Sequence, residues 1–146
     1  MRKLLVAMIA LMVLLSFGCA KEEAAAPAAA TQDFSVRDFA RTYIADLANS
    51  NNIIGFDTFV ADAKAGRDMY IVDIRSAADY ATGHIKGAVN MPWGTAAMWE
   101  MVPHLPTNRT VYVHCYSGQT AGQAIVMMRM AGVEAVSVNS GWNLGI

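Results

Sequence analysis

"TVYVHCYSGQTAG", Thr110–Gly122, decides the fold and frames the chemistry. Its first half is a β-branched and aromatic run of strand length. Its second half is small and polar, and opens "QTAGQAIVMMRMAG", an apolar segment closed by Gly132 that reads as a buried helix. A strand passing through a tight loop into a helix is the repeating unit of a mostly parallel α/β sheet. In such sheets ligands bind where strands end and helices begin, because backbone N–H groups are free there and the helix dipole is positive. Cys115 stands at that junction. The loop from Cys115 to Thr120 holds Ser117 and Gly118, small enough for the backbone to curl around the sulfur and aim several N–H groups at one point. Such a nest favours an anion, so it lowers the thiol pKa and activates Cys115 as a nucleophile with no general base. His114 is not required as that base, since strand alternation turns its side chain away from that of Cys115.

Outward from this loop the chain continues the alternation. "MYIVDI" from Met69 and "EAVSVN" from Glu134 are two more buried strands. Ser35 and Asp38 start a helix in which Val36, Phe39, Ala40, Tyr43, Ile44 and Leu47 recur at helical spacing, and "ANSNN" ends it. A second helix covers Asp57 to Ala65, with Phe56, Phe59 and Val60 inward and Gly66 closing it. Met127, Met128 and Met130 read as core filler. In "MPWGTAAMWEM", Trp93, Met98 and Trp99 read as rim or core, with a pocket wall the favoured reading. There is no internal repeat.

The N-terminus reads differently. "MRKLLVAMIALMVLLSFG" has a charged start at Arg2 and Lys3 and an apolar run from Leu4 to Phe17, shorter than the ~20 residues of a spanning helix. With small Gly18 directly before Cys19, it resembles a bacterial lipoprotein signal, whose Cys becomes the lipidated first residue of the mature chain. The expected organisation is a signal peptide over 1–18, a lipidated Cys19 and Ala-rich tether over 19–33, and one domain over 34–146. That implies export and a lipid anchor at the cell envelope, facing the periplasm or the cell exterior. Removing Arg2 and Lys3 from a chain with 11 basic and 12 acidic residues leaves 9 against 12, a net charge of −3. That balance excludes a nucleic-acid partner. Cys115 is then the one thiol of the domain, so no internal disulfide forms.

Phosphate chemistry is the first candidate for a His-Cys loop. A cysteine phosphatase needs an Arg six residues after the Cys, because a bidentate guanidinium must neutralise the transferring phosphoryl group. That place is Ala121, and no Arg or Lys occurs between Arg109 and Arg129. The loop is also one residue short.

From about Ile53 to Trp142 the sequence resembles the rhodanese-like sulfurtransferases. "IVDIRSAADYATGHIKGAVNMP" (Ile71–Pro92) is similar to the family's early motif at Asp73, Arg75, Tyr80, Gly83, His84, Ile85, Gly87, Ala88, Asn90 and Pro92. "VYVHCYSGQTA" resembles its six-residue active loop, and "MRMAGVEAVSVNSGW" its closing strand and Gly-Trp element. The resemblance implies a rhodanese-like α/β fold, a central parallel five-stranded sheet flanked by helices on both faces. It implies that Cys115 takes sulfane sulfur from a donor as a persulfide and passes it to a thiophilic acceptor, a small sulfur compound or a partner protein's thiol. Tyr116, Ser117, Gly118, Gln119 and Thr120 form the substrate-binding loop. Asp73, Arg75 and His84 support it, the first two as a structural pair and His84 as a tie between loops. No metal and no cofactor is called for. Many family members end the loop with Arg where this chain has Thr120, which leaves a thiosulfate donor's second charge without a cationic partner. A non-enzymatic sulfur carrier or binding module docking a redox partner is the alternative.

Overall fold

Three apolar hexapeptides form the centre of the sheet in the computed structural model, which describes residues 35–145. The expected signal, tether and lipidated Cys19 lie outside the described residues. In chain order the elements are α1 (Val36–Leu47), β1 (Ile53–Ile54), α2 (Phe56–Lys64), β2 (Tyr70–Asp73), α3 (Ala77–Thr82), β3 (Val89–Asn90), α4 (Ala96–Met101), a 3₁₀ turn (Val102–His104), β4 (Val111–His114), α5 (Gln119–Met130), β5 (Ala135–Val138) and α6 (Gly141–Leu144). The five strands pair in the order β1-β5-β4-β2-β3, every neighbour parallel. The α/β class and the five-stranded parallel sheet are as expected, and β4 lies at the centre.

Strand alternation divides the core between two faces. Val72, Ile74, Val111 and Val113 point to one face, where Met91, Met98, Leu105, Ala124, Ile125 and Met128 cover them. Ile71, with half-buried Tyr112, points to the other, against Phe59 of α2 and Tyr80 of α3. Helices therefore flank both faces. Parallel strands buried on both sides read as continuous apolar runs, which is why β2 and β4 were recognisable.

One expected helix forms without burial, and one expectation needs correction. α1 forms where its cap places it, with Ser35 Oγ accepting from the Asp38 N–H at 3.2 Å. None of its residues is buried, however, and Val36 and Ile44 are 61% and 66% exposed. Its cap and periodicity suffice to form the helix, but burial needs a facing element, and only Phe39, Ala40 and Tyr43 are half-buried. α5 buries a single face, Ala121, Ala124, Ile125 and Met128, while Met127 is 47% exposed. Of the three methionines only Met128 is fully core.

Candidate functional site

Val111–His114 delivers Cys115 to the carboxyl end of the central strand, where the chain must turn before α5 begins. The turn is made at Gly118, whose φ of +90° lies in the left-handed region open to glycine. This conformation sends the loop's N–H groups inward. The Gly118 N–H donates to Cys115 Sγ at 3.1 Å. Burial of the sulfur favours the thiol, but hydrogen bonds from the Thr120 side chain and from the Ala121, Ser117 and Gly118 N–H groups overcome it and bring the Cys115 pKa below its ordinary value. The loop's carbonyls face outward and are satisfied separately. Cys115 O accepts from the Trp142 N–H and Tyr116 O from the Asn143 N–H, each at 2.9 Å. α6 is thus a backbone clamp: it takes the carbonyls, leaving the N–H groups for sulfur. Cys115 is the free cysteine of the described residues and is itself buried.

Thr120 has a definite place in this arrangement. Its side chain acts on the sulfur alongside the backbone N–H groups, in the direction that favours the thiolate. We expect Thr120→Val to move the midpoint of the alkylation-against-pH curve upward. Below that midpoint the rate should fall by roughly tenfold, the worth of one hydrogen bond to a charged acceptor. An unchanged curve would remove Thr120 from the site.

The supporting residues fall into three groups. Asp73 and Arg75 form a buried ion pair, with Arg75 Nη2 donating to Asp73 Oδ2 at 2.6 Å and Arg75 Nε to Oδ1 at 3.0 Å. Arg75 Nη2 also donates to the Gly83 carbonyl at 2.8 Å, and its guanidinium lies 3.7 Å above the Trp142 ring. The early motif thus reaches the active loop through Trp142. His84 stacks on Tyr80 at 3.8 Å and contacts the Tyr80 carbonyl through Nδ1 at 2.9 Å, so its contacts are within its own turn. Tyr116 does not aim its hydroxyl at the sulfur. It donates to Asp79 Oδ2 at 2.5 Å and accepts from the Ser76 N–H at 3.2 Å. Ser117 and Gln119 are exposed on the loop.

His114 is fully buried, 3.5 Å from Asp73 Oδ2, and neither ring nitrogen is hydrogen-bonded. Burial lowers its pKa against the pull of Asp73, so it remains neutral. Of the expected pocket wall, Trp93 lines a hollow beside Tyr116, Trp99 braces Trp93 edge-on at 5.6 Å, and Met98 belongs to the core. The sequence reading missed Ser76 and Asp79. Their one signal was Ser-x-x-Asp at the start of α3, a helix cap that says nothing of Tyr116. Among the described residues no three His, Cys, Asp or Glu side chains gather as a metal site requires.

The fold and loop define a class: parallel α/β domains that hold a cysteine sulfur in an anion-binding loop at the end of the central strand. Within that class the model of the rhodanese-like domain matches residues 57–144, more than half of the sequence, and the chain belongs to that family. Similar solved structures include a protein of Staphylococcus saprophyticus subsp. saprophyticus, 26% identical over 60% of this chain and 86% of that one, with a TM-score of 0.55. A rhodanese-like domain protein from Staphylococcus aureus is 22% identical over 63% and 88%, with a TM-score of 0.54. The rhodanese-like domain of an Anabaena protein is 24% identical over 62% and 69%, with a TM-score of 0.55. No curated protein matches the chain. Domains of this family transfer sulfur or serve as sulfur-binding modules, and some lack activity.

Proposed function

We propose that the protein is a sulfurtransferase, exported and held at the cell envelope by a lipid on Cys19, that carries sulfane sulfur on Cys115. The observation that supports this most is the cation-free nest of N–H groups and the Thr120 hydroxyl around Cys115 Sγ. A persulfide is anionic and much smaller than a phosphoryl group, so a short loop without Arg suits it. The Cys115 thiolate attacks the sulfane sulfur of the donor, the donor's S–S bond breaks, and its electron pair departs with the leaving group. The acceptor, a small thiophile or a partner protein's thiolate, then attacks the outer sulfur and Cys115 leaves as the thiolate. The Tyr116–Thr120 loop binds the transferring sulfur, while the Asp73–Arg75 pair supports it through Trp142 and His84 holds its own turn. The membrane is met through the lipid alone.

Turnover of a sulfane donor with cyanide tests this reading through the thiocyanate formed. Activity should fall by at least about a hundredfold in Cys115→Ser, since the covalent route is then closed. Equal turnover by both proteins would overturn it. Rapid transfer to one protein thiol, with little to cyanide, would favour the carrier reading instead.

A further inference from the structure

Beside the active loop lies a hollow of about 520 Å³ lined by Ile74, Ala77, Pro92, Trp93 and Tyr116, with Ser76 and Thr95 its other two lining residues. It borders the loop through Tyr116, the neighbour of Cys115, and Trp93 packs against the core cluster that contains Cys115. Its walls are fixed in advance. The Trp93 N–H donates to the Ile74 carbonyl at 3.0 Å, and Trp99 meets the Trp93 ring at 72°. Its polar atoms are already committed. Ser76 Oγ donates to Asp79 Oδ2 at 2.5 Å and accepts from the Asp79 N–H at 3.1 Å. Thr95 Oγ1 donates to the Pro92 carbonyl at 2.7 Å and accepts from the Met98 N–H at 3.2 Å. The Tyr116 hydroxyl is occupied by Asp79 and Ser76.

No lining residue carries a charge. The charged group tied into this wall is Asp79, whose pKa is lowered by the hydrogen bonds from Ser76 and Tyr116 and which therefore stays anionic. A compact dianion finds no cation here and meets a carboxylate. An uncharged ring or alkyl group meets two aromatic walls and loses no hydrogen bond on entering.

We propose that this hollow receives the apolar body of the sulfur donor, an alkyl or aryl group that bears the sulfane sulfur, while the anionic end turns into the Cys115 nest. The proposal rests on the sulfur-transfer reading above and narrows its substrate to organic sulfane compounds. With an organic thiosulfonate, R–SO₂–S⁻, the Cys115 thiolate bonds to the terminal sulfur and the S–S bond breaks. The electron pair leaves on the sulfinate, R–SO₂⁻, and Cys115 retains one sulfur as the persulfide anion. Two negative charges enter and two leave, and no oxidant or reductant is consumed.

The test compares benzenethiosulfonate with methanethiosulfonate, each kcat/KM divided by the donor's rate with a small free thiol in solution. The corrected ratio should be at least about tenfold in favour of the aryl donor, since the ring buries apolar area that the methyl does not. Trp93→Ala should bring that ratio to within about threefold of unity. So should Ala77→Glu, an exposed position in the first turn of α3 where an acid suits the helix. A wild-type ratio near unity, or a ratio unmoved in both variants, overturns the proposal while leaving sulfur transfer standing. Absence of a Cys115 persulfide with either donor overturns the sulfur-transfer reading and this proposal with it.

Discussion

Gly141→Ala is expected to abolish the special reactivity of Cys115, although position 141 lies 26 residues beyond it in sequence. A Cβ at Gly141 would stand 2.5 Å from the Cys115 carbonyl oxygen, 2.8 Å from the Ser117 nitrogen and 2.8 Å from the Tyr116 carbonyl carbon. All three are backbone atoms of the active loop, so relief cannot come from a rotating side chain. Gly141 also holds a φ of +54°, which costs an L-residue about 1–2 kcal/mol. The loop must therefore move off the α6 clamp, and its N–H groups lose their aim at Sγ. A displacement near 1 Å in a preorganised site costs roughly a hundredfold in rate. We expect sulfur transfer to fall by at least that factor and the alkylation midpoint to move back up towards an ordinary thiol. Gly118→Ala meets a looser contact, the Val138 carbonyl at 3.2 Å, but its φ of +90° strains any L-residue, so it too should disturb the loop. A Gly141→Ala protein with wild-type alkylation behaviour would show that the clamp does not set the thiol's pKa.

Arg75→Met should give the largest loss of stability. Asp73 and Arg75 are 0% and 1% exposed, so removing the guanidinium leaves a carboxylate in the interior. Breaking one side of a buried pair costs about 3–5 kcal/mol, a large part of the 5–15 kcal/mol that holds an ordinary domain. The same change removes the Arg75 donor to the Gly83 carbonyl and the cation above Trp142, so the early motif and the clamp lose their link. Urea unfolding should show the fall in midpoint, and Asp73→Asn with Arg75→Met should recover part of it, because no charge is then stranded. A double variant weaker than Arg75→Met alone would contradict this account of the pair.

Legibility in the sequence followed the range of each interaction. β2, β4 and β5 were readable because each is a local apolar run. β1 and β3 have two residues each and are defined by their partners, Ile53 opposite Ser137 and Val89 opposite Val72, so no local period announces them. The Cys115 loop was readable as far as its small residues require a tight turn. What aims its N–H groups was not, because the Trp142 and Asn143 N–H groups belong to another element. Nor was the engagement of the Tyr116 hydroxyl by Asp79, 37 residues away in sequence. The stripe of α1 was readable as a helix but not as a surface. Its spacing formed the helix, but periodicity does not reveal whether a partner faces it, and Ile44 and Val36 remain exposed.

The central claim is that Cys115, held as an activated thiolate by its loop, carries sulfur. Mass spectrometry of the intact protein after incubation with a sulfane donor, followed by peptide mapping, tests it most directly. The account predicts a gain of one sulfur, ~32 Da, on the peptide containing Cys115, and its return to the original mass when cyanide is added. No gain on that peptide with any sulfane donor, or an equal gain in Cys115→Ala, would contradict it.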